Sequence, residues 1–131
     1  MVLAKLDDKT PNGLMATTCG DSGYILFRPE ENGLKELYKT PFEQQQWMFN
    51  GPNQLSSSTN MYLQKALHEL HEIEENDIIV MASDGLFDNV YSTGIIKCLE
   101  KYMKEKKVQN VAAASDCMAH TAEINGVKEN W

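Results

Sequence analysis

The first forty residues alternate short apolar runs with polar, turn-forming breaks. Val2-Leu3-Ala4-Lys5-Leu6 is the first run, and Asp7–Gly13 after it is dense in turn formers. Leu14-Met15-Ala16-Thr17-Thr18-Cys19 reads as a second strand, so the pair predicts a hairpin with a long polar loop. Gly20-Asp21-Ser22-Gly23 breaks the chain again. Tyr24–Arg28 is a third strand, and Pro29–Gly33 turns it into a fourth, Leu34–Tyr38. The pattern predicts an antiparallel β-meander. Between 40 and 60, Pro41, Asn50, Gly51, Pro52, Asn53 and the run Ser56–Asn60 predict a long irregular connection. Loops of that length in a compact domain are usually functional or disordered.

Tyr62–Ile73 supports two readings. Leu63, Ala66, Leu67 and Leu70 sit at helical spacing, yet the Glu74–Asp77 turn permits a short strand at His71–Ile73. Ile78-Ile79-Val80-Met81-Ala82 is the clearest buried strand and ends at Ser83-Asp84-Gly85. Two helices follow. Ser92 or Thr93 caps the first, whose apolar stripe is Ile95, Ile96, Leu99, Tyr102 and Met103. Lys101, Lys104, Lys106 and Lys107 crowd its C-terminal end, where positive charge suits the helix dipole. The second helix runs from Val111 to Asn125 with Gly126 as its C-cap, and Ala112-Ala113-Ala114 suits close packing. Antiparallel strands followed by segregated helices imply an α+β layered domain.

Composition narrows the classes. A chain of 131 residues fits one domain. With 42% hydrophobic and 24% charged residues it is neither collagenous nor disordered. The net charge of -7 argues against a nucleic-acid partner, which needs a basic stripe. The longest apolar run, Ile78–Ala82, is far short of the roughly 20 residues of a membrane span. Met1–Asp8 carries no long apolar stretch of the kind a secretory signal needs. Cys19, Cys98 and Cys117 lack C-x-x-C spacing, so they read as three reduced thiols of an intracellular protein rather than a zinc knuckle. Arg28 is the only arginine, which matters for any chemistry on phosphate, where Arg is the usual bidentate clamp.

The candidate chemistry lies in two turns of one pattern, an apolar strand followed by an Asp beside glycine. The first is Cys19-Gly20-Asp21-Ser22-Gly23; the second is Ala82-Ser83-Asp84-Gly85-Leu86-Phe87-Asp88. Gly20 and Gly85 leave room for another backbone or a ligand to approach. Asp84 and Asp88 are four apart, so a helical turn would place both carboxylates on one side. Converging carboxylates repel, and a hard divalent cation such as Mg²⁺ or Mn²⁺ would relieve that repulsion. An EF-hand is excluded because the D-x-[DN]-x-[DN]-G series is absent. Haloacid-dehalogenase-like phosphatases resemble the second segment but need an attacking Asp where Ala82 stands, so that mechanism lacks its nucleophile.

Other polar clusters read as structural. His68 and His71 are three apart, not the four of H-E-x-x-H, and read as a solvated face. Glu69, Glu72, Glu74, Glu75 and Asp77 read as a solvated hairpin edge. His120 has no visible catalytic partner, and Trp47 reads as an anchor of its loop.

Ala82-Ser83-Asp84-Gly85-Leu86-Phe87-Asp88-Asn89 closely resembles the "ASDGLWD" signature of PP2C-type (PPM) metal-dependent serine/threonine protein phosphatases. Cys19-Gly20-Asp21-Ser22-Gly23 resembles their "GDSR" turn. Gln44-Gln45-Gln46, followed by Phe49-Asn50-Gly51-Pro52-Asn53-Gln54-Leu55, resembles the "QQ…FNTPYQL" stretch of the PTC7-like branch. Gly23, where many relatives carry Arg, fits that branch too.

The resemblance implies a β-sandwich of antiparallel sheets flanked by helices. It implies two Mg²⁺ or Mn²⁺ ions whose bridging water attacks the phosphorus of phosphoserine or phosphothreonine in a phosphoprotein substrate, with no catalytic protein nucleophile. By position, Asp84 resembles a ligand of the second core metal, and Asp21, Asp84 and Asp88 resemble the carboxylates around a weaker third metal. The resemblance favours strand over helix at His71–Ile73. The early "ADGVGG"-type and late "DDITV"-type metal segments have no counterpart here. Residues 1–131 therefore read as the middle and later portion of such a domain. Four expectations follow: weak or no activity from this chain alone; exposed sheet edges open to self-association; an organellar place of action (mitochondrial or plastid); and, as the alternative, a non-catalytic pseudophosphatase-like interaction module.

Overall fold

The computed structural model describes residues 1–48, 51–53 and 64–128. The strands are β1 (Val2–Leu6), β2 (Gly13–Thr18), β3 (Gly23–Glu30), β4 (Gly33–Lys39), β5 (Gln46–Met48), β6 (Gly51–Pro52), β7 (Leu67–Glu72), β8 (Ile78–Ala82), β9 (Met103–Lys104) and β10 (Lys107–Val108). The helices are α1 (Asp84–Phe87), α2 (Ser92–Lys101) and α3 (Val111–Lys128), with a 3₁₀ turn at Phe42–Gln45.

Two antiparallel three-stranded sheets carry the architecture, ordered β1-β2-β7 and β4-β3-β8. The predicted hairpins β1–β2 and β3–β4 form, but they lie in different sheets, which corrects the expected single meander. The cause sits at the break between them. Gly20 adopts φ +93°, a left-handed conformation open to glycine, and the chain leaves one sheet for the other there. Residues 67–72 are a strand, not a helix. Their inward and outward positions alternate because β7 pairs with β2 along its whole length, Gly13↔Glu72 to Thr18↔Leu67. The helical spacing upstream of Leu67 falls partly on residues outside those described.

The sheets pack face to face. Leu14, Ala16 and Thr18 of β2 are buried, and across the interface Tyr24 and Leu26 of β3 are at most 2% exposed. His71 faces inward here, which corrects its reading as solvated. Its Nε2 shares a 2.7 Å hydrogen bond with the Tyr24 hydroxyl, and its ring centroid lies 4.7 Å from that of Tyr38. Burial first, and then neighbouring Tyr38, pushes the Tyr24 hydroxyl above its ordinary titration range.

Ile25 and Phe27 point the other way and join Ile95, Cys98 and Leu99 of α2 with Ala114, Met118 and Ala122 of α3 in one core. Cys98 and Cys117 are bonded to each other, with Cα atoms 5.6 Å apart. The expectation of three reduced thiols is corrected: the partners come from two packed helices, so no short spacing announces them. Cys19 is buried and lies outside the bridge. α2 begins after Tyr91 and has no side-chain cap, so Ser92 and Thr93 lie inside it; Tyr102 and Met103 fall beyond its end. α3 continues through Gly126 to Lys128. Gly126 packs under Asn89, where an added Cβ would meet Oδ1 at 3.3 Å, so this glycine serves a close approach and not a cap.

Ile78–Ala82 is a strand over the expected residues, but it is half-exposed. β3 pairs one edge of β8, and among the described residues no strand pairs the other. An apolar groove of about 600 Å³ opens beside it, lined in part by Ile78, Val80, Leu86, Val108, Ala114 and Met118.

Arg28 closes the far end of the β3–β8 ladder. Its Nε and Nη2 donate to Asp77 Oδ1 and Oδ2 at 2.8 and 2.7 Å, and its Nη1 lies 3.0 Å from Glu74 Oε1. Asp77 is thus no part of a solvated edge; its side chain is 3% exposed. Burial alone would raise the Asp77 carboxyl. The hydrogen bonds from Arg28 and from Glu74 N, with the guanidinium charge, outweigh it and hold the carboxyl below its usual range. A carboxyl depressed in the folded state stabilises the fold above its unfolded value of about 4 and loses that contribution as pH falls through the folded value. Asp77→Asn should therefore lower the unfolding free energy by about 1–3 kcal/mol near neutral pH. Urea titrations at falling pH should show the two proteins converging in acid. An unchanged gap at a pH of about 2 would contradict the assignment.

Candidate metal centre

The β3–β8 register builds the site. Gly23 pairs with Ala82. Asp21 lies two residues before that pair and Asp84 two residues after it, so an antiparallel ladder delivers both to one edge. α1 then begins at Asp84 and is C-capped by Asp88, whose N–H donates to Asp84 O at 2.8 Å. This is the helical turn that the four-residue spacing anticipated. Asp84 Oδ1 accepts the Gly85 N–H at 2.8 Å, and Asn89 Nδ2 donates to Gly85 O at 3.0 Å. Asn125 Nδ2 of α3 donates to Asn89 O at 2.8 Å, which ties the acidic turn to the helical layer.

Asp84 and Asp88 are exposed and Asp21 is half-exposed. Partial burial, and then the charges of Asp84 and Asp21, raises the Asp88 carboxyl above its usual value. Asp88 thus senses the charges of both other carboxylates. Oxygen-only donors under mutual repulsion suit a hard cation in chemistry and charge. Among the described residues, no three Asp, Glu, His or Cys side chains close on one point tightly enough to hold an ion by themselves. The arrangement is a partial donor set. Arg28, the lone arginine, is engaged with Asp77 and Glu74 at the opposite end of the ladder.

The two turn glycines differ. A Cβ on Gly20 would stand 2.6 Å from Asn53 O, so Gly20 is required both by its φ and by this approach. Gly85 has only Ser83 Oγ near, at 3.5 Å, and leaves its side of the turn open. Gly23 is also constrained: a Cβ would meet Thr40 Oγ1 and the Phe42 ring, each at 2.7 Å. An Arg at that position has no room in this packing.

Sequence reasoning missed the buried side chains behind the first turn. Gln45 is fully buried, and its Oε1 accepts the Gly20 N–H at 3.0 Å. Thr40 Oγ1 accepts the Tyr24 N–H at 3.0 Å. A glutamine in a polar loop gives no periodic signal, and only the resemblance at Gln44-Gln45-Gln46 pointed there. Of that resemblance, Phe49, Asn50, Gln54 and Leu55 lie outside the described residues, as does the side chain of Trp47.

The chain is similar to known phosphatases. It is 30% identical over 120 residues to the protein phosphatase PTC7 homolog fig of Drosophila willistoni, covering 86% of this chain and 36% of that protein. It is 36% identical over 105 residues to "Probable protein phosphatase 2C 71" of Oryza sativa subsp. japonica, covering 77% of this chain and 21% of that one. The X-ray structure of the photosystem II phosphatase PBCP superposes with a TM-score of 0.73 at 27% identity, over 92% of this chain and 43% of that structure. No family model matches the chain.

The chain belongs to the PP2C-type protein phosphatases, in their PTC7-like branch. The α+β sandwich expected from the resemblance is the fold observed. The chain spans less than half the length of each of these relatives. The PP2C family is metal-dependent and generally uses Mg²⁺ or Mn²⁺. Among the described residues, no helix is long and apolar enough to cross a membrane.

Gly20→Ala tests the steric part of the site. The substituted residue must adopt a left-handed conformation and displace the Asn53 carbonyl. It is expected to cost about 2 kcal/mol or more in unfolding free energy, measured by urea denaturation. Gly85→Ala, with open space around it, should cost less than half as much. Equal losses would refute the contrast.

Proposed function

We propose that residues 1–131 are the middle and later portion of a PPM-type domain that hydrolyses phosphoserine and phosphothreonine in phosphoprotein substrates. The observation that carries this reading is the convergence of Asp21, Asp84 and Asp88 on one edge of the sandwich. Asp84, at the end of β8, is positioned as the ligand of a core Mg²⁺ or Mn²⁺ site. Asp21 and Asp88 flank it as a weaker set. Bound metal would lower the pKa of a water, neutralise charge on the phosphoryl oxygens and so supply the nucleophile. The protein's share is to hold three anionic groups in place and to keep that edge open to a phosphorylated peptide. The name of the photosystem II phosphatase supports an organellar place of action as part of the same reading.

Mn²⁺ titration followed by electron paramagnetic resonance should show binding to the 131-residue chain. Asp84→Asn should weaken it about tenfold or more, as expected when an anionic ligand is lost from a small carboxylate set. Turnover of a phosphothreonine peptide by the chain alone should be weak or undetectable. Absence of Mn²⁺ binding would favour a non-catalytic interaction module. Strong Mn²⁺-dependent turnover, abolished by Asp84→Asn, would overturn the expectation of low activity.

Among the described residues no strand pairs the second edge of β8, and this edge with the apolar groove beside it also supports self-association. Unpaired edges with apolar flanks are templates for strand pairing. Sedimentation velocity should therefore show a mass above 14.8 kDa that grows with concentration. Val80→Lys, which places a charge beside that edge, should shift the population towards monomer. A strictly monomeric wild-type chain would refute this.

A further inference from the structure

The 3₁₀ turn Phe42–Gln45 stands between the two acidic turns and touches both. On one side, the Phe42 ring lies 5.1 Å from that of Phe87, the last residue of α1, between Asp84 and Asp88 in the chain. On the other, the Gln45 amide meets the backbone immediately before Asp21. Gln45 makes three links from a fully buried position. Oε1 accepts the Gly20 N–H at 3.0 Å, Nε2 donates to Lys65 O at 3.0 Å, and its own carbonyl accepts the Asn53 N–H at 2.7 Å. Asn53 is itself 2% exposed and presses its carbonyl against Gly20. Three segments thus converge on one residue, two of them on its side chain.

We infer that Gln45 is a positioning residue that fixes where Asp21 stands relative to Asp84 and Asp88. The inference rests on the metal-site reading of those carboxylates and goes beyond it, since Gln45 itself touches neither metal nor substrate. The chemistry fits an amide in particular. The Gly20 N–H needs an acceptor and the Lys65 carbonyl needs a donor, and a glutamine supplies both from one planar group. An apolar residue would leave the buried Gly20 N–H without its acceptor and would lose the link to Lys65 O. The far end of the turn is held independently, by Gly23 against Thr40 and by Thr40 Oγ1 on the Tyr24 N–H. Asp21 therefore sits on a short span pinned at both ends. Loosening the Gln45 end frees the carboxylate while β3 stays paired. Groups that orient a metal ligand from behind typically change metal affinity by about 10–100-fold when removed.

Hydrogen exchange followed by NMR and Mn²⁺ titration of the same samples test the inference. In the wild-type chain the Gly20 amide should exchange slowly, at the rate of the β3 amides. Gln45→Met, close in volume, should speed Gly20 exchange while β3 amides keep their protection, and should weaken Mn²⁺ binding about tenfold or more. Gln45→Glu keeps an acceptor for Gly20 and, when protonated, a donor for Lys65; it should recover Mn²⁺ affinity to within about threefold of wild type. Mn²⁺ binding by Gln45→Met equal to wild type overturns the positioning role and leaves the metal site standing. No Mn²⁺ binding by wild type overturns the metal-site reading and the inference with it. If Gln45→Met does not fold, the wild-type exchange decides: a Gly20 amide as fast as an open loop refutes the lock.

Discussion

β3 is hydrogen-bonded along both edges and buried on both faces, and its register with β8 sets everything else. Tyr24 and Leu26 fill the space between the sheets, while Ile25 and Phe27 fill the space under the helices. A slip of one residue would exchange these sets between two cores shaped for other side chains, and burying each such side chain is worth about 1.5–3 kcal/mol. The register is therefore held by both cores at once. Because Gly23 meets Ala82 in that register, the two acidic turns must lie side by side. This pairing brings the two turns together, and the contacts of Gln45 and Asn125 behind them hold each turn in place.

The two ends of the same ladder follow opposite electrostatic logic. At the Asp77 end, a nearly buried carboxylate is matched by two guanidinium hydrogen bonds. Desolvation there is offset within the protein, and the result is structural. At the Asp84 end the carboxylates stay accessible, and partial burial together with the charges of Asp84 and Asp21 raises the Asp88 carboxyl. One ladder thus carries a matched ion pair at one end and an accessible acidic edge at the other, with the only arginine at the matched end.

Much of the fold was legible in the sequence because turn chemistry marks strand ends. Asp7–Gly13 and Pro29–Gly33 delimit the two hairpins, and the run Ile78–Ala82 is a strand over those five residues. What alternation cannot show is which sheet a strand joins. The split between β2 and β3 depends on the left-handed Gly20, and the strand at Leu67–Glu72 depends on β2 lying beside it. The Cys98–Cys117 bridge, the burial of Asp77 and the place of Gly126 inside α3 are all tertiary facts. The candidate site residues stand out in the sequence for a different reason. Asp21, Asp84 and Asp88 lie in short motifs built on an Asp beside glycine, whereas the contacts of Gln45 come from a burial that no motif announces.

The nesting of the strands also orders how the chain can assemble. β1–β2 and β3–β4 close locally, but Thr17 meets His68 across 51 residues and Arg28 meets Asp77 across 49. Closing a loop of that size costs conformational entropy before any contact repays it. The two long pairings share that cost. β7 and β8 are joined by a short turn, so once β7 has found β2, β8 is already beside β3. A single slow encounter then completes both sheets, and the acidic edge comes together in that same step rather than as a later adjustment.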